Sequence, residues 1–186
     1  MPKPSLGVIS AALALATWTT VARALDSPAN FSGHWTLNQA LSDDVEAKAL
    51  EAVGGRKTVG KDAAEVERLK LRTAILALLP ALASLHIEQS PEEIKLFDAE
   101  DNLRIFYFGR EHVREGRLGS KLRCSVEWKG SQLVVTEIAE SGKLTELLTA
   151  VPARKQMLHV LRLEDKRLRA PLEVRLAYDA AESPKK

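Results

Sequence analysis

Leu122-Arg123-Cys124-Ser125-Val126-Glu127-Trp128-Lys129-Gly130-Ser131-Gln132-Leu133-Val134-Val135-Thr136-Glu137-Ile138 is the stretch whose reading decides the fold. Leu122, Cys124, Val126 and Trp128 share one face; Arg123, Ser125 and Glu127 share the other. A period of two over this length is a strand with one face buried and one wet. Lys129-Gly130-Ser131 then turns the chain into a second apolar strand, Leu133 to Ile138. Two such strands across a short glycine turn form a hairpin.

The pattern spreads in both directions. Upstream, His86 to Gln89 and Ile94 to Asp98 flank Ser90-Pro91, and Leu103 to Phe108 follows the turn Ala99-Glu100-Asp101-Asn102. A short strand lies around His112 to Arg114. Downstream come Leu144 to Val151, Met157 to Leu163 and Leu172 to Tyr178. In the last of these Leu172, Val174, Leu176 and Tyr178 face inward. With Phe31 to Asn38 the series reaches about 9–10 strands, mostly joined by hairpin-length turns. The expected fold is mainly β, an antiparallel meander. So many strands must curl or close to avoid long open edges, so a barrel is expected, with a sandwich as the alternative.

One segment departs from this pattern, at about residues 42–84. Ser42 is placed to cap a helix running from Asp43 to about Val53, with acids in its first turn and Gly54-Gly55 at its end. A second helix starts near Asp62, with Val66, Leu69, Thr73 and Leu76 at helical spacing. From Ala74 to Leu85 its polar face disappears, and Pro80 should kink or end it. An all-round apolar segment packs in a core, or serves as a lid or docking face. At 12 residues, Ala74 to Leu85 is too short to span a bilayer.

Residues 1–24 read as an export signal: Lys3, then the apolar run Leu6 to Ala16, then Ala22-Arg23-Ala24 as the cleavage site. The expected product is periplasmic or secreted. It begins near Leu25 and forms a single domain over 25–186 with no transmembrane segment. Removing Lys3 and Arg23 leaves 25 basic side chains against 25 acidic ones, so the product is neutral. Nucleic-acid binding, which calls for a basic excess, is set aside. Cys124 has no partner for an intrachain disulfide and falls in line with core residues.

Asn30-Phe31-Ser32-Gly33-His34-Trp35-Thr36-Leu37-Asn38, with Ser42-Asp43 after it, resembles the opening of uncharacterised exported bacterial proteins that begin N-F-S-G-x-W-x-L-N. The likeness continues in Trp128-Lys129-Gly130, Leu133 to Thr136, and Pro171-Leu172-x-Val174-Arg175. Gly33-x-Trp35 also resembles the lipocalin signature. That resemblance implies a lipocalin-like barrel in which Trp35 closes one end and an arginine from the last strand packs on it. Arg175 is the matching residue, although alternation puts it on the polar face.

No G-x-S-x-G, H-E-x-x-H or phosphate-binding glycine loop occurs. His34, His86, His112 and His159 are far apart, with His34 and His86 on the wet side of their strands. His159 lies in phase with Met157 and Leu161, as a satisfied core histidine or a polar group in a cavity. Asp98 to Asn102 is oxygen-rich but lacks the glycine and distal glutamate of an EF-hand; it reads as a hairpin turn. No catalytic residue, cofactor or metal is expected. The expected function is a non-catalytic binding module for an apolar small molecule, contacted by Trp35, Trp128, His159 and Tyr178. The alternative is an envelope protein–protein interaction module that docks through its helical insertion.

Overall fold

Ten antiparallel strands form one sheet in the computed structural model, in the order β4-β3-β2-β1-β10-β9-β8-β7-β6-β5. The structure describes residues 29–181, apart from 55–60, 78, 117–118 and 169, and omits the side chains of 61–64. The signal segment and the Gly55 helix terminus lie outside the described residues.

The strands are β1 (Gly33–Leu37), β2 (Ser84–Gln89), β3 (Glu93–Asp98), β4 (Leu103–Tyr107), β5 (His112–Glu115), β6 (Lys121–Lys129), β7 (Gln132–Ile138), β8 (Gly142–Val151), β9 (Gln156–Asp165) and β10 (Leu172–Ala180). β1 closes the ring by pairing with β10 on one side and β2 on the other. Every other strand pairs with its sequence neighbours except across the β4–β5 junction. There β4 and β5 do not pair, and a single bridge runs from Phe108, just past β4, to Val126 of β6. The sheet is therefore a nearly closed barrel, not a sandwich. Its interior is lined by alternate residues, among them Leu85, Ile87, Ile94, Phe106, Leu133, Leu148, Met157, Leu161, Leu176 and Tyr178. Gly142 sits so close to β9 that an added Cβ would stand 2.1 Å from the Glu164 carbonyl oxygen. Only a glycine allows β8 to start there.

The helical insertion contains α1 (Val45–Val53) and α2 (Lys61–Leu76). The cap of α1 is Asp44 and not Ser42: its carboxylate accepts the Ala47 N–H at 3.0 Å. Ser42 instead ties the insertion to the barrel, donating to the Asn38 carbonyl and accepting from the Ala177 N–H. α2 stops at Leu76, well short of Leu85. Pro80 has no N–H to give a helix and disfavours helical geometry in the residue before it. The chain must also be extended by Ser84 to enter β2.

The face of α2 that turns inward also differs from expectation. Val66 and Leu69 are 51% and 44% exposed, while Ile75 is fully buried and Leu71 packs against the core. Leu71 and Ile75, four residues apart, make the stripe that meets the core, and Leu76 of the expected stripe packs there with them. Ala49, Val53, Ile75 and Leu79 all belong to the core cluster, so the insertion packs as core. No helix among the described residues is long and apolar enough to cross a membrane.

Candidate functional site

Inside the barrel, alternation does something unusual: it turns charged residues inward. On β4 the inward residues are Arg104 and Phe106; on β8, Leu144, Glu146 and Leu148; on β9, Met157, His159 and Leu161. β7 adds Glu137 after Leu133 and Val135, and β5 adds Arg114. Glu146, Arg104, Glu137 and Arg114 form one line of alternating charge, with His159 at its Glu146 end. His159 Nε2 lies 2.9 Å from Glu146. Arg104 holds both Glu146 oxygens through its two terminal nitrogens. Arg104 also lies 3.5 Å from Glu137, whose carboxylate accepts from Arg114 at 2.6 Å.

Ion pairs are favourable inside a protein only when geometry and hydrogen bonds offset the loss of water. Burial pushes the Glu146 carboxyl upward, but Arg104 and the His159 hydrogen bond outweigh it and hold the group well below the usual carboxylate range. Burial likewise opposes charge on Arg104, and Glu146 and Glu137 more than restore it. A carboxylate facing His159 Nε2 places the ring proton on that nitrogen. Burial, and then the Glu146 charge, push the Tyr178 phenol up; its hydroxyl donates to the Leu82 carbonyl at 2.8 Å. Burial raises the Cys124 thiol to about 11, the behaviour of an inert core residue.

The line of charges leads to a cavity of about 560 Å³. It opens at the end of the barrel carrying the β3–β4, β5–β6 and β7–β8 turns, and Ala77 and Pro80, just past α2, stand at it. Leu103, Leu122, Leu144 and Leu163 supply apolar wall; Arg104, Arg114 and Glu137 supply the inner polar one, and Asp98, Glu115, Lys143, Asp165 and Arg167 also line it. The opposite end is plugged: Trp128 stacks on Phe31 at 6.0 Å and on Phe108 at 6.3 Å.

Of the four expected contact residues, none lines this cavity. His159 and Tyr178 come together, ring centroids 6.0 Å apart, as buried neighbours of Glu146. Trp35 and Trp128 converge on Phe31, whose carbonyl accepts the Trp35 indole N–H at 2.8 Å. Arg175, the residue implied to pack on Trp35, points outward and pairs with Glu173. His34 and His86 lie outside, as expected, stacked on each other at 4.1 Å, and His86 stacks on Phe97. The Asp98 turn closes on itself, with Asp98 accepting the N–H groups of Glu100 and Asn102. Among the described residues no group of three or more His, Cys, Asp or Glu could hold a metal ion.

No protein-family model matches the chain, and no curated protein sequence does. Solved structures do match in shape. Human cRBP IV is 18% identical, with 83% of this chain and 100% of that one covered and a TM-score of 0.52. The REP1-NXSQ fatty acid transporter is 16% identical, over 82% and 96%, at 0.51. A Schistosoma mansoni fatty acid binding protein in complex with arachidonic acid is 15% identical, over 82% and 96%, at 0.50. The fold is thus that of the fatty-acid-binding-protein and lipocalin-like barrels: ten strands with a two-helix insertion after the first.

Proposed function

We propose that this chain is an exported binding module that holds an apolar small molecule in the cavity at the α2 end of the barrel. One observation carries the reading: a cavity of about 560 Å³ at one end of the barrel, with Leu103, Leu122, Leu144 and Leu163 in its wall and Ala77 and Pro80 beside it. Its size lies within the range of small-molecule sites, and leucines that share the wall with mutually paired charged groups give it both an apolar surface and polar anchors. The names of solved barrels of the same fold, a fatty acid transporter and a fatty acid binding protein, support the reading.

Leu144 is buried and lines the cavity. Exchanging it for tryptophan fills the space. Binding of a fluorescent alkyl probe, followed by titration, should weaken at least tenfold in Leu144→Trp while the circular dichroism spectrum is kept. A wild-type protein that binds no alkyl probe below its micellar concentration, and carries no lipid in native mass spectrometry, would sink the proposal.

Export makes a separate expectation. Amino-terminal sequencing of the product from the extracytoplasmic fraction should begin at or near Leu25. A product starting at Met1 would overturn the export half of the proposal and leave the binding half standing.

A further inference from the structure

The chemistry around the cavity narrows the ligand class, an inference that rests on the binding proposal above. The basic side chains lining the cavity among the described residues are Arg104, Arg114, Lys143 and Arg167, and each is already held by a carboxylate. Arg104 is bidentate to Glu146 and touches Glu137; Arg114 is on Glu137 at 2.6 Å. These two are the inward pairs: the Arg104, Glu137 and Glu146 side chains are 8%, 7% and 0% exposed. At the rim, Arg167 is bidentate to Asp165, and Lys143 is 2.9 Å from Glu164.

Among the described residues an anionic headgroup entering this site finds no cation that is not already paired. It must pull an arginine from its carboxylate and leave that carboxylate buried, or bring a further negative charge beside Glu137 and Glu146. Either course costs the desolvation of an unpaired charge. Pairing with the exposed rim cations instead gains little, because such pairs are screened by water. A cationic headgroup meets the converse obstacle: Glu137 and Glu146 are already neutralised by arginines, Asp98 accepts the N–H groups of its own turn and of Ala81, and pairing with the exposed Glu115 is screened by water. A neutral oxygen pays neither cost. The Nε–H of Arg104 has no acceptor among the described residues, and a hydroxyl or carbonyl oxygen is the kind of acceptor it lacks.

We propose that the cavity takes an uncharged amphiphile, an alkyl or isoprenoid body ending in a hydroxyl, ester or amide, and that Glu146 is the residue that excludes fatty acids by occupying Arg104.

The test compares three ligands of one chain length, dodecanol, dodecanoate and dodecylammonium, on the intact mature protein at about pH 8, where acid and amine are both charged. Displacement of the fluorescent alkyl probe reads each affinity below its micellar concentration. Dodecanol should bind at least tenfold more tightly than either ion. In Glu146→Gln, which leaves Arg104 and Arg114 to share the one carboxylate of Glu137, dodecanoate should gain at least tenfold while dodecanol stays within about twofold. In the Arg104→Gln/Glu146→Gln double variant the gain should vanish, because the freed cation is gone. Should Glu146→Gln fail to fold, the wild-type ranking alone decides. Dodecanoate binding as tightly as dodecanol, or dodecylammonium binding best, overturns this inference and leaves the binding proposal intact. No binding of any of the three overturns both.

Discussion

Arg104→Met should cost about 3–5 kcal/mol of stability, read as a lowered urea midpoint with an unchanged slope. Methionine keeps the length of the stem and its packing beside Phe106, over which the guanidinium sits at 5.9 Å. What is lost is the charge, and Glu146 is then left fully buried with only His159 facing it. A domain of ordinary stability has about 5–15 kcal/mol in total, so leaving this one carboxylate unpaired removes a large part of it. The double variant Arg104→Met/Glu146→Leu should recover most of the loss, because removing both charges removes the penalty. Recovery stops short of complete: His159 Nε2 loses its acceptor.

The pH dependence separates a charge effect from a packing effect. In the wild type the folded Glu146 carboxyl lies well below its ordinary value of 4.5. Its contribution is therefore fully present above about pH 5 and is lost as pH falls through the carboxylate range toward the folded value. In Arg104→Met the largest of the causes that oppose burial is gone and only His159 still opposes it, so the sign should reverse. The folded state then binds a proton more readily than the unfolded chain, and the deficit of the variant should shrink between about pH 7 and pH 5. A deficit below about 1 kcal/mol, or one that grows on acidification, would show that Glu146 does not depend on Arg104.

The strands were readable because their apolar residues fall in one phase. β6 and β10 are the clear cases: Cys124 and Val126, and Leu172, Val174, Leu176 and Tyr178, are buried as their alternation requires. His159 was placed inward by the same reasoning, from Met157 and Leu161 beside it. The charge line was not readable. β4 carries apolar residues in both phases, Leu103, Ile105 and Tyr107 in one and Phe106 in the other, so alternation assigns Arg104 to neither face. β8 has the same ambiguity, with Leu147 out of phase with Leu144 and Leu148. Arg104 and Glu146 are also 42 residues apart, and only barrel closure brings them together. The helical segment misled in a different way. Apolar residues without a polar face suggested a helix to Leu85, but an apolar run has no period, and Pro80 with the approach to β2 settled the matter. The cavity belongs to this unreadable part: its walls come from the ends of many strands, where alternation gives way to turn geometry.

Trp35→Ala should rank with Arg104→Met as the most damaging change, at about 3–5 kcal/mol, because it opens a void the barrel cannot collapse into. Trp35 is almost fully buried on β1, the strand that closes the ring, directly opposite Leu85 of β2 and Ala180 of β10. Its indole N–H also satisfies the Phe31 carbonyl, and Phe31 is the ring on which Trp128 stacks to plug the far end. Trp35→Phe separates the two contributions. It keeps an aromatic ring and removes the N–H, so its loss should be about 1–3 kcal/mol, most of it the unpaired carbonyl. Because Trp35 lies away from the cavity lining, Trp35→Phe should bind the alkyl probe within about twofold of wild type at temperatures where it is folded. Thermal unfolding of the three proteins and probe titration of the folded two check this. A Trp35→Phe variant of wild-type stability that loses probe binding would reverse the assignment: Trp35 would then be a ligand contact, and the cavity would extend deeper into the barrel than its present lining.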